Sequence, residues 1–279
     1  TLHGRVWKSI TENLTSSRVL AKNNKLINTI VESRLNQVSI NELDSYSINN
    51  VNEAYNLQEI VNARLSTSGL GEVIGCKIGC TNKSIQKELG VNNPIFGPIF
   101  KNKIIQNNRK ISIKEFIKVG VECEIYIKIS EEINENTNYN INNIRNFISN
   151  FGVSLELVEN RFLDIKKNKI EHIIIDGSLG NSIVFGKEIS NHSSNFSKFI
   201  GRLFINNKEV YSNFADTILG DPLNALLWYF DQKLRLKKYI KKGEIVSLGS
   251  ITPLIWIDSP CNVKAVIDDL GECSINFIN

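Results

Sequence analysis

Methionine is absent from the 279 residues, even at the first position, so the chain as given is trimmed or processed, or leaves out modified residues. Histidine is scarce. His3, His172 and His192 stand in separate contexts and match no triad signature, which argues against Ser-His-Asp hydrolase chemistry. No apolar run approaches the roughly 20 residues needed to cross a bilayer, so no membrane partner is expected. Cysteine is limited to an odd set of five, with no signal-peptide pattern before them. Free thiols in a reducing, cytoplasmic compartment are the expectation. Cys76 and Cys80 are four apart but lack a second pair to complete a zinc site, so packing roles suit them. Charge of one sign is also lacking: the net value is +4 and the basic residues are scattered, apart from the stretch Lys233 to Lys242. That stretch has the character of a solvated helix face, and nucleic acid is not an expected partner.

What is present is ordinary globular material, 42% hydrophobic and 22% charged, enough for a packed core in one catalytic domain. The first third is helical in pattern. Ile10, Leu14, Leu20, Ile27, Ile30 and Val31 recur near helical spacings and predict an amphipathic arm. A second helix is predicted from Val51 to Leu65, capped by Ser47 or Asn49, with Tyr55, Ile60 and Val61 toward the core, and broken from Ser66 to Gly71. From Val73 the texture changes to short β-branched runs: Val73 to Ile78, Val121 to Ile129, Val153 to Val158, Ile173 to Ile175, Ile183 to Phe185, Ile245 to Leu248 and Leu254 to Ile257. The Asn-rich stretch from 134 to 146 predicts a loop running into a short helix, and Pro222 to Tyr239 predicts a longer one. The division is therefore an arm over 1–70 and an α+β catalytic domain over 71–279.

Within VECEIYI, Glu122 and Glu124 are two apart on an apolar strand, so both side chains leave the same face. Like charges on one face repel unless a cation lies between them, and a hard divalent ion, Mg²⁺ or Mn²⁺, suits carboxylate oxygens. An isolated E-x-E is usually two glutamates facing water, but Glu156 in SLELVENR is a third carboxylate among apolar neighbours. Lys77 lies in a short apolar strand beside Gly75 and Gly79. It is either a snorkelling surface lysine or an ammonium that supports an enolate and exchanges a proton if its pKa is lowered. The turn GSITP offers the hydroxyls of Ser250 and Thr252, either as a carboxylate cradle or as an ordinary Gly/Pro turn.

Taken in order, GCKIGCTNKSIQKELGV (75–91), VECEIYI (121–127), SLELVENR (154–161), DGSLGNSIVFG (176–186), LGDPLNALLW (219–228) and KKGEIVSLGSITP (241–253) resemble the hydratase/decarboxylase branch of the fumarylacetoacetate hydrolase superfamily. The resemblance implies a fumarylacetoacetase C-terminal-like mixed β-sheet roll with an N-terminal helical arm, and a homo-oligomer acting on a small 2-oxo acid. It implies a divalent metal on Glu122, Glu124 and Glu156, an active-site lysine at Lys77, a pocket aspartate at Asp176, and substrate binding by Ser250 and Thr252. The implied activity is hydration of 2-hydroxypenta-2,4-dienoate-type substrates. The alternatives are decarboxylation of a 4-oxalocrotonate-like acid, hydrolysis of an acylpyruvate, or binding without catalysis. Two departures bear on this choice: Ile95 stands where hydratases of the branch commonly carry Asp, and Asp176-Gly177 where they carry Asp-Asn.

Overall fold

A computed structural model describes residues 23–41, 43, 48–191 and 193–279. Ile10, Leu14, Leu20, Ser47, His3 and His192 lie outside these residues. The described chain opens with helix α1 (23–36), whose buried Leu26, Ile27 and Ile30 form one face. Helix α2 (Val51–Leu65) has the predicted bounds, but its cap is Asn50, whose side chain accepts from Glu53 N at 3.0 Å. Ile60 is 45% exposed and does not face the core; Leu57 and Gln58 take that face instead.

Most of the remaining chain is sheet. In order come β1 (Val73–Gly79), helix α3 (Lys83–Leu89), β2 (Ile95–Phe100), β3 (Ile104–Ile105), β4 (Arg109–Ser112), β5 (Val119–Ile129) and β6 (Ile148–Glu159). Helix α4 (Ile170–Ile175), β7 (Gly180–Phe185), β8 (Ile189–Ser190), β9 (Ile200–Ile205), β10 (Lys208–Phe214) and helix α5 (Pro222–Arg235) follow. The chain ends with β11 (Ile245–Ser250), β12 (Ile255–Ile257), β13 (Cys261–Ile267) and β14 (Gly271–Ile278).

Among the described residues the larger sheet runs β2-β1-β11-β5-β6-β7-β3, with β12 on β5 and β8 on β6, and the smaller runs β10-β9-β13-β14-β4. Both are mixed: β1 and β11, β3 and β7, and β14 and β4 pair in parallel, and their other neighbours antiparallel. The main core lies between the sheets, where β5 and β6 meet β13 and β14. β13 and β14 alternate buried and partly exposed residues, as strands with one covered face do, whereas β5 and β6 are buried almost throughout. This is the α+β sheet roll expected from the sequence.

Two local expectations fail. Ile173, Ile174 and Ile175, read as a strand for their β-branched side chains, form the end of α4, which packs on α2 and buries all three. Burial on several sides outweighs the weak helix propensity of isoleucine. Helix α5 stops at Arg235 and Lys237 turns left-handed, so only Lys233 to Arg235 of the lysine-rich stretch is helical and the rest is turn and extended chain. Among the described residues, no helix is long and apolar enough to cross a membrane.

Candidate metal and 2-oxo-acid site

β5 and β6 are antiparallel neighbours in the middle of the large sheet, in unbroken register from Val119 to Lys128, with Glu122 directly opposite Glu156 and Glu124 opposite Ser154. Because side chains alternate, the three carboxylates share one face while Val121, Cys123, Ile125, Leu155 and Leu157 fill the core on the other. One oxygen from each carboxylate lies within 4.8 Å of the others. Lys77 arrives from β1, two strands from β5, and its Nζ lies 3.0 Å from Glu156 Oε1 and donates to the Ser178 carbonyl at 2.9 Å. Beyond that ion pair, the two buried Glu156 oxygens find no hydrogen-bond donor. Glu124 is held by Ser247 Oγ, which also meets Ser154 Oγ at 3.1 Å.

The electrostatics follow from crowding in a buried place. Burial, then the Glu156 charge, pushes the Glu122 carboxyl up to about 8 against the pull of Lys77 and a hydrogen bond from Ser250. Burial and the two other glutamates hold Glu124 well above the usual carboxylate range. Burial alone would lower the Lys77 pKa, but the three carboxylates outweigh it and keep the group above its ordinary value. The lowered pKa that would let Lys77 exchange a proton is therefore not met in the metal-free site. Three carboxylates face one ammonium, so two negative charges stay uncompensated when all ionise. That excess, together with the unsatisfied Glu156 oxygens, fits one hard divalent cation.

A cavity of about 450 Å³ opens over this cluster, walled by Lys77, Glu122, Glu124 and the turn 250–253, with α3 and Trp256 at its sides. Ile95 lines it too. A Cβ added at Gly79 would lie 3.4 Å from Lys77 Nζ and 3.7 Å from Ile95 Cγ1, so the two side chains share the space above that glycine. Ser250 and Thr252 both reach the wall, and both already have internal work: Ser250 Oγ donates to the Thr252 carbonyl, and Thr252 Oγ1 accepts from Cys123 N at 3.2 Å.

Asp176 is elsewhere. It caps α4, is fully buried, and pairs with Arg161 at 2.8 Å without lining the cavity. Burial raises its pKa and the neighbouring arginines oppose that. His172 is buried in α4 and also does not line the cavity. All five cysteines are free thiols. Ser247, Ser178 and Arg161 sit inside the motifs quoted above, but a lone serine or arginine carries no spacing signal that marks it as part of a site.

No protein-family model matches the chain. The 2-keto-4-pentenoate hydratase of Burkholderia vietnamiensis is 24% identical over 224 residues, 80% of this chain and 85% of that one. The 2-keto-4-pentenoate hydratase of Paraburkholderia xenovorans is 26% identical over 236 residues, 84% of each. Among solved structures, 4-oxalocrotonate decarboxylase from Pseudomonas putida, complexed with magnesium and adipate, superposes with a TM-score of 0.86 at 19% identity, covering 94% of this chain and 98% of that one. Alike in sequence over four fifths of its length to these hydratases, and in fold over nearly all of it to the decarboxylase, the chain is similar to the hydratase/decarboxylase branch of the fumarylacetoacetate hydrolase superfamily.

Proposed function

We propose that this protein is a divalent-metal-dependent lyase that hydrates 2-hydroxypenta-2,4-dienoate-type substrates, with Mg²⁺ or Mn²⁺ held by Glu122, Glu124 and Glu156. The observation that carries the reading is the convergence of three carboxylates, two of them deeply buried, on one point beside a buried ammonium. When bound, the cation supplies a Lewis acid for the C1 carboxylate and 2-oxo group of the substrate. The chain's own groups do the rest. Lys77 stands where it can stabilise charge developing on the enolate oxygen, and a cation shared by the carboxylates would remove the support that keeps its pKa high. Ser250 and Thr252 orient the substrate carboxylate at the cavity wall. Asp176 acts at one remove, through Arg161.

Ile95 favours a second reading. Hydration adds water across the C4–C5 bond, with ketonisation at C2, and an acid/base group used for such a step is worth on the order of 10²–10⁴ in rate. An apolar side chain beside Lys77 cannot supply it, whereas loss of CO₂ from a dicarboxylate needs the electron sink but no activated water. Both reactions can be followed on one preparation, by loss of the dienol's ultraviolet absorbance and by CO₂ release from 4-oxalocrotonate, with Mg²⁺, Mn²⁺ or chelator. Metal-dependent turnover is expected, and Ile95→Asp should raise the hydratase rate. Metal and oxalate binding without any turnover would leave a binder. Fast native hydration that Ile95→Asp reduces would show that another group supplies the proton.

A further inference from the structure

The turn that receives the Lys77 ammonium is left-handed at three successive residues, with φ of 89° at Gly177, 55° at Ser178 and 61° at Leu179. Ser178 and Leu179 carry side chains in a backbone conformation that L-residues rarely adopt, so contacts outside the turn must hold it. Two arginines do so. Arg161 donates to the Gly180 carbonyl at 3.0 Å and to Asp176 Oδ2 at 2.8 Å. Arg34, which comes from α1 far away in sequence, donates to the same Gly180 carbonyl at 3.1 Å and to the Asp176 carbonyl. The guanidinium groups thus grip both ends of the turn. Glu159 completes the set, 3.0 Å from Arg161, so that two cations and two anions balance.

Arg34 sits on the apolar face of α1, one and two turns beyond Ile30, Ile27 and Leu26, and is only 8% exposed. A helix that merely seats on the core has no need of a cation there, and burying one is costly. Burial, followed by the neighbouring Arg161 charge, lowers the Arg34 pKa to about 9. The cost is borne where two backbone carbonyls of the turn accept its protons. The turn in turn is pressed onto β2: Ser178 Oγ donates to the Phe96 carbonyl at 2.7 Å while its own carbonyl takes Lys77.

We propose that Arg34 is a positioning residue, clamping the 176–180 turn so that the Ser178 carbonyl holds the Lys77 ammonium against Glu156. The N-terminal helix thereby becomes part of the site's machinery. The role in turnover rests on the function proposed above; the clamp itself does not.

The test uses the full chain with Arg34→Lys, Arg34→Gln and Arg34→Ala. Amide hydrogen exchange over residues 173–181, the rate of Lys77 modification by an amine reagent, Mn²⁺ affinity, and kcat and KM are measured on each. In Arg34→Gln, exchange in the turn and labelling of Lys77 should each speed up by ~10-fold or more. Its kcat should fall by ~10–100-fold, the scale of a misplaced catalytic group, with KM and Mn²⁺ affinity nearly unchanged. Guanidinium ion should restore part of the loss in Arg34→Ala, and Arg34→Lys, which keeps the charge but not the fork, should fall between. If Arg34→Ala or Arg34→Gln does not fold, Arg34→Lys alone decides, through its exchange and labelling rates. Unchanged exchange and labelling would overturn the clamp, as would a loss confined to Mn²⁺ affinity or one that guanidinium does not relieve. If the native protein turns over none of the 2-oxo acids, the proposed function fails separately and the clamp is judged on exchange and labelling.

Discussion

Metal binding at the glutamate cluster should be driven by proton release, and the structure sets the size of the effect. In the metal-free protein Glu122 titrates near 8, against about 4.5 in an unfolded chain. At pH 7 it is therefore roughly nine-tenths protonated, and Glu124 is shifted in the same direction. A cation that needs both carboxylates ionised must expel these protons, so binding at pH 7 should release about one proton or more, and apparent affinity should rise at least ~10-fold per pH unit up to about pH 8. Stability moves the other way. Between pH 4.5 and 8 the folded metal-free state keeps a proton that the unfolded chain has lost, so it weakens by about 1.4 kcal/mol per pH unit for this group. The whole interval amounts to on the order of 5 kcal/mol, an upper figure because Glu122 keeps an edge open to the cavity. Calorimetric titration with Mn²⁺ in buffers of different ionisation enthalpy counts the protons, and melting with chelator or Mn²⁺ from pH 5.5 to 8.5 reads the stability. The gap in Tm between the two forms should widen with pH, and Glu122→Gln should release about one proton fewer. A proton count of zero at pH 7, or a gap that narrows with pH, would refute the electrostatic reasoning.

Two further perturbations separate chemistry from scaffold. Lys77→Ala should lower kcat by about 10²-fold or more while Mn²⁺ affinity holds or improves, since the carboxylates lose a competing cation; normal turnover would return Lys77 to a structural role. Gly97→Ala should lower Tm by roughly 6 °C or more, because the added Cβ would sit 2.0 Å from the Gly177 carbonyl oxygen and must force β2 off the turn; thermal melting at fixed pH checks it.

The parts of this protein that follow a local rule were legible from its sequence. The face shared by Glu122 and Glu124 is a consequence of strand alternation alone, and α2 was bounded by its polar entry and its Ser-Gly exit. The pairing of Glu156 with Glu122 was not, since register depends on a partner strand that composition does not identify. Ile173 to Ile175 misled for the same reason: isoleucine prefers strands, and only the neighbourhood of α2 makes them a helix. Ser247 and Arg34 were invisible because their roles exist only once distant segments meet. The ordered motif set supplied what periodicity could not, by placing Lys77 beside the glutamates before any strand order was known.

The facing of Glu122 and Glu156 across β5 and β6 also constrains how the gene can drift. Sliding β5 by a single residue would turn Glu122 and Glu124 into the apolar layer between the sheets, and sliding β6 would do the same to Glu156, so only even shifts keep the charges out of the core. The Asn-rich connection between those strands carries no such restriction, because register is fixed by the side chains on either side of it and not by its length. Insertions and deletions should therefore collect in that connection, while the strands it joins keep their parity.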